Sequence, residues 1–469
     1  MATSGNAARN IEVEENQKRI SEDITQEGKF QASRETEKFL PASDWVTLTE
    51  QRGRYRPLHP GRLRNSLLAG VGFLELGNAG DFAANVWNEI PVKKWVAVLM
   101  ALGATLALVT SLFAFRDITL SWRNIRVLRE ERLHLRREQA RCRDNTACLR
   151  SVEALLGVNF RESGTELLDR LIVDVLLGFG ALLVSIGTYM AIGGANPSVF
   201  AASNLLSGYI GNAAGALYGL INAGWSTYVS IRAYRHRSAG LVKLQSDVAK
   251  RLLRRRTRQV QTHAMVLAIT GLAAGAGGLI TATMWWGYII LVPCIVSNIY
   301  CNWMWRHQIG YERPIAANIV EIDQQSLIRE LERVNAMSNY LGNRKPSNSP
   351  KGDTTHDFTS IISIIHFMIS IDVFESFCVR VMRDRRLSAA LLQASKGDLT
   401  IHEQTFRELD QKHLPLVIEI ARLHIQEKGP VQLRYRERYL LEALGCYLRV
   451  QGDTPTSKEL EHPLPQESA

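Results

Sequence analysis

Apolar residues in this chain gather into long blocks separated by densely charged stretches. Residues 175–231 contain no Asp, Glu, Lys or Arg, and neither do residues 259–305. Each block is about twice the ~20 residues an α-helix needs to cross ~30 Å of hydrocarbon. A soluble core has no use for charge-free runs of that length, so each block reads as a pair of spans. Asn196 and Pro197 turn the first pair, with Asn as a helix cap and Pro at the first helical position. Spans are expected at about 95–115, 171–192, 197–228, 264–283 and 286–305. Trp225, Tyr228, Trp285, Trp286, Trp303 and Trp305 mark interface depths.

The polar stretches also carry helical spacing. Residues 116–170 hold twelve Arg against nine acids, with Leu128, Leu133 and Leu135 a turn or two apart. This predicts a helix continuing out of the 95–115 span, a turn at Asp144 and Asn145, and a helix running back. Ser163 and Glu166 have capping-box form and are expected to start the next membrane helix. A second basic loop covers 232–263. Residues 312–450 predict a helical cytosolic domain interrupted by a Pro/Ser/Asn/Gly linker at 342–356. Within that domain the apolar run 358–374 is too short to cross and predicts a buried core helix. Thr400 and Glu403 form another capping box. Residues 1–60 and 451–469 sustain no period and are expected to be disordered tails. The fold class that follows is all-α: a polytopic transmembrane helical bundle over 61–311 with a cytosolic α-helical C-terminal domain.

Residues 66–90 decide the span count. They are apolar and small but include Glu75 and Asp81. A carboxylate near mid-membrane costs roughly 2.5–3.5 kcal/mol, whereas leaving this segment outside requires translocating a charged tail without a signal peptide. Six spans are favoured over five. On a helical wheel Glu75, Asn78, Asp81 and Asn85 share roughly one third of the circumference. In a crossing helix that stripe faces the bundle interior and becomes a candidate intramembrane polar site. On a helix lying at the interface its acids simply face water.

Net charge is +10. Ten Lys or Arg and one acid lie between residues 232 and 258, so the excess reports membrane orientation and not nucleic-acid binding. Lys250, Arg251, Arg254, Arg255, Arg256 and Arg258 are candidate contacts to an anionic lipid leaflet. Ser203, Ser207, Gly211, Gly215, Gly219 and Ala223 recur every four residues as a small-residue packing stripe. The Gly271/Gly275 face is its expected partner, with a homo-oligomer as the alternative. Bulky substitution at Gly215 is expected to disrupt that packing.

Chemistry-bearing motifs are missing. No HExxH, GxSxG, GxxxxGK[ST] or CxxC occurs, so no catalytic, cofactor or metal site is assigned. The six cysteines are expected as free thiols, Cys142 and Cys148 included. The sequence therefore points to a non-enzymatic membrane-organising, anchoring or partner-binding protein, with a cytosolic protein as a partner of the C-terminal domain. A channel or small-solute or proton transporter using Glu75 and Asp81 is the alternative.

Overall fold

The computed structural model describes residues 45–453, apart from 52, 59–61, 65, 66, 88, 90, 316–321, 343–359 and 393–398. The expected linker falls almost wholly outside the described residues, as do the first 44 residues and those after 453. Five long helices form the body: α1 (Lys94–Arg141), α2 (Thr146–Ala191), α3 (197–243), α4 (Asp247–Thr281) and α5 (Gly287–Ile309). Of these, α1, α2, α4 and α5 are long and apolar enough to cross a membrane. Their outward faces expose Trp95, Leu102, Leu112, Phe179, Ile269 and Val296. An apolar belt of this kind, which water would penalise, is compatible with an integral membrane protein.

Helix α1 is 48 residues long, about 72 Å at 1.5 Å per residue, so its Arg-rich half runs far beyond the apolar belt. The turn back comes where Asn145 caps α2 by accepting from the backbone N–H of Ala147 and Cys148. Helix α2 then runs unbroken past Ser163. The expected new start there does not occur, because Glu166 is bonded to Arg170 instead of reaching back to a cap. The region 165–172 is a widened π-helical turn. The same turn of chain that Asn145 caps also brings Cys142 and Cys148 together as a disulfide, where free thiols were expected.

Residues 66–90 are not one continuous helix. They form a 3₁₀ turn (Ala69–Phe73) and two five-residue helices, Leu74–Asn78 and Phe82–Val86, separated by a turn. The segment nevertheless runs antiparallel to α1 along its apolar half. Gly70 lies against Phe113, Gly77 against Thr110, and Gly80 against the Gly103 carbonyl. Ala83 and Ala84 then pack with Val96 and Met100. The close Gly80–Gly103 backbone approach leaves no room for a Cβ on either residue.

Beyond the charged ends of the helices lies a second layer. It contains α6 (Gln324–Gly342), α7 (Ile361–Ser370), α8 (Phe374–Val381), α9 (Arg385–Leu392), α10 (Glu403–Arg407) and α11 (Leu414–Asp453). The 358–374 run holds a core helix, with Ile364, Ile365, Phe367 and Met368 buried. Five short strands depart from the all-α expectation. Strands β1 (Trp45–Gln51) and β2 (Arg54–Pro57) form a hairpin, and β5 (Leu399–His402) pairs antiparallel with β1. Strand β3 (Arg62–Arg64) pairs with β4 (Glu312–Pro314).

Residues 45–57 are therefore ordered, not part of a disordered tail. Val46 and Leu48 point into the core while Thr47 and Thr49 stay half-exposed, a period-two pattern too short to stand out in the sequence. Thr400 sits in β5 and not at a helix cap; the capping box lies two residues on, at His402 and Thr405. One core unites β1, the α1–α2 hairpin, the α3–α4 turn and helices α6–α11. The C-terminal helices are thus packed on the charged hairpins and share their core.

Candidate functional site

Three polar regions among the described residues bear on a site, and the 66–90 segment touches two of them. In the turn between its short helices, Asp81 accepts hydrogen bonds from Tyr288 Oη (2.8 Å) and Asn85 Nδ2 (3.0 Å). Asn85 Nδ2 also reaches Tyr288 Oη at 2.8 Å. Phe82 covers the Tyr288 ring edge-on at 4.9 Å. Asp81, Asn85 and Tyr288 therefore satisfy one another in a closed knot.

Glu75 is different. It is only 5% exposed, bonds to Asn78 one turn on, and lines a cavity of about 70 Å³. Thr165, Asp169 and Arg170 reach this cavity from the widened turn of α2, and Tyr218 from α3. His263 from α4 and Asn298, Cys301, Asn302 and Trp305 from α5 complete its polar side. Leu67, Val71, Leu177 and Leu267 form apolar walls. The predicted stripe is thus split by the break at residues 79–81: Glu75 lines the cavity, Asn78 lies against Gly180 and Gly215, and Asp81 and Asn85 are closed off.

Arg170 is fully committed beside the cavity. Its Nε and Nη2 donate to Asp117 at 3.1 and 2.7 Å, and its Nη1 donates to both Glu166 oxygens at 2.8 and 2.9 Å. His263 bonds to the Cys301 backbone. Asp169 faces the Trp225 indole and the Arg161 guanidinium. Asn298 Nδ2 has no hydrogen-bond partner among the described residues. A second cavity of about 20 Å³ shares Thr165, Asp169, His263 and Trp305 with the first and extends to Arg161 at the charged end.

At that end the third polar region ties the two layers together. Arg313, just past α5, bridges Glu131 of α1 and Glu162 of α2, each at 2.6 Å. Tyr311 Oη donates to Glu162 at 2.7 Å. Glu442 of α11 pairs with Arg232 of α3 at 3.0 Å and with Arg161 of α2 at 3.3 Å. Burial alone would raise the Glu442 carboxyl, but Arg161 and Arg232 overcome it and hold it down to about 2. Burial lowers His236 beside them to about 4. Arg438 donates to the Gly310 carbonyl at 2.6 Å and to that of His307.

No protein-family model, curated protein or solved structure matches the chain. The site must be read from its own residues.

The small-residue stripe packs inside the molecule, on two partners. Ser203 Oγ donates to the Gly187 carbonyl at 2.8 Å, and the Gly211 carbonyl lies against Gly180, so this half faces α2. Farther on, a Cβ at Gly219 would stand 2.4 Å from the Gly271 carbonyl of α4, and Ala216 lies against Gly275. A four-residue repeat drifts about 40° per step around a 3.6-residue helix, which carries the stripe from one neighbour to the other. A Cβ at Gly215 would make only ordinary contacts, the nearest at 3.8 Å. The tight point is Gly219, not Gly215. Ala223 is half-buried at the end of the stripe.

The basic run is split by helical geometry. Arg251, Arg254, Arg255 and Arg258 are exposed and Lys250 is half-buried, whereas Arg256 turns inward with Leu252 and Leu253. Its Nη1 donates to the Gln308 carbonyl at 3.1 Å, so it is not a lipid contact. Asp117, Asp169, Tyr218, His263 and Asn298 escaped the sequence reading as site residues. The one signal available was Glu166 and Arg170 at i and i+4, a spacing that also suits an ordinary surface pair.

Proposed function

We propose that the protein is a six-span, non-enzymatic membrane platform whose C-terminal helices form a rigid cytosolic domain that binds partners. The observation that carries this reading is the pairing of β3 with β4. Strand β3 precedes residues 66–90 and β4 follows α5, so the chain before the first crossing and after the last lies at one face of the bundle. That arrangement favours an even number of crossings. In this reading α1–α5 supply five and residues 66–90 the sixth, which their antiparallel course along α1 supports.

Orientation follows from the Arg-rich hairpins, which sit at the same face as both sheets; the positive-inside bias makes that face cytosolic. The Glu131–Arg313–Glu162 and Arg161–Glu442–Arg232 contacts then bind the cytosolic layer to the spans. This favours a fixed scaffold over repeats that rock against each other. Exposed Arg251, Arg254, Arg255 and Arg258 suit contact with an anionic leaflet. The transport reading retains Glu75 alone, because Asp81 is closed by Tyr288 and Asn85.

Vesicles containing the purified protein test the choice with a pH or ion readout. Flux present in the wild type and lost in Glu75→Gln would replace the platform by a transporter; no flux in either is the expected outcome. Resistance to alkaline carbonate extraction is expected, and release into the supernatant would end the membrane reading altogether.

A further inference from the structure

The Glu75 cavity has the composition of a ligand site independently of the platform role. Two carboxyl groups line it, Glu75 and Asp169. The one guanidinium on its wall, Arg170, spends its donors on Asp117 and Glu166. Asp169 faces the Arg161 guanidinium and the Trp225 indole, whereas no lining cation is left for Glu75. Asn298, also on the wall, is only 8% exposed, and its Nδ2 donor has no partner among the described residues. Buried polar atoms without partners are rare and costly. The cavity thus presents an acceptor for a cationic donor in Glu75 and a donor seeking an oxygen in Asn298, between apolar walls.

Size narrows the ligand. The volume of about 70 Å³ is roughly half of the ~150 Å³ that accommodates benzene in an engineered cavity, which leaves space for roughly three to four heavy atoms. Among the described residues no group of three or more His, Cys, Asp or Glu is placed to hold a metal ion. We propose that this cavity binds a small primary ammonium compound bearing a hydroxyl or carbonyl oxygen, ethanolamine being the simplest. The ammonium group would sit against Glu75, and the oxygen would accept from Asn298 Nδ2. Leu67, Val71, Leu177 and Leu267 would contact the methylenes. The smaller cavity toward Arg161 marks the approach from the charged end.

The chemistry is the same for a free amine and for an ethanolamine lipid headgroup. Full-length protein in phosphatidylcholine nanodiscs tests the proposal by thermal unfolding with added ethanolamine, ethylamine, ethylene glycol or sodium chloride. Ethanolamine is expected to raise the midpoint saturably, as a ligand of the folded state does. Ethylamine should act more weakly, and ethylene glycol and salt not at all. Glu75→Gln should weaken the apparent affinity by about tenfold or more. Asn298→Ala should reduce ethanolamine to the level of ethylamine, and Asp81→Asn should leave binding unchanged.

Should a carboxyl variant not fold, wild-type protein still decides the matter. Ethanolamine must slow alkylation of the cavity residue Cys301 without slowing that of Cys378. A headgroup source is recognised by the same protection in phosphatidylethanolamine nanodiscs with no free amine. The proposal is overturned if neither source protects Cys301 or shifts the midpoint, if salt does so equally, or if Glu75→Gln folds and responds like the wild type.

Discussion

Single residues at the charged end set how the molecule responds to acid. His236 and His424 are buried, and burial lowers each to about 4 from an ordinary 6.5. A histidine whose folded value is depressed favours the folded state while neutral. Its contribution is therefore complete above pH 6.5 and lost as pH falls toward 4. Each is worth on the order of 3 kcal/mol. Thermal unfolding between those limits should show the loss, and His236→Asn should flatten part of it. Glu442, held at about 2 against an ordinary 4.5, acts in a lower window: its stabilisation is present above 4.5 and disappears as pH falls to 2. Removing one partner of a buried pair is a harsher test. Arg313→Ala leaves Glu131 and Glu162 facing each other and should cost about 3–5 kcal/mol, read as a lowered unfolding midpoint in detergent.

Elements answer to packing, where the α3–α4 contact gives a paired prediction. Gly219→Ala pushes a methyl into the Gly271 carbonyl and should cost about 1–3 kcal/mol, while Gly215→Ala should be nearly neutral. Equal effects at the two positions in an unfolding assay would count against this helix contact. The same comparison shows how much could be read beforehand. Charge-free runs identified the long apolar helices, because a length requirement of ~20 residues is hard to satisfy by chance. The four-residue spacing of small residues pointed to a packed face. Nothing in that spacing says that helical drift divides it between two neighbours. The break at residues 79–81 was hidden for another reason: the wheel assumes an unbroken helix, and Gly77 and Gly80 permit one as well as a turn. The cavity was least legible, since Glu75, Asp169, Tyr218, His263 and Asn298 come from five separate stretches that only tertiary contact unites.

The whole molecule makes its prediction through topology. Tags at the N- and C-termini should share the same protection in sealed vesicles. A glycosylation acceptor inserted in the 193–197 turn should be modified, and one inserted in the 142–145 turn should not. Protection of only one terminus would remove the six-span arrangement. The β1–β5 pairing also bears on how the chain is made. Thr47 meets Thr400 across 353 residues, so β1, paired early with β2, leaves its other edge open until all the spans have been inserted. An open edge on a strand with two apolar residues on one face invites wrong pairing while it waits. Biogenesis of this protein should therefore depend on something shielding that early hairpin, and ribosome-stalled chains ending before residue 399 should aggregate or recruit a chaperone where the finished chain does not.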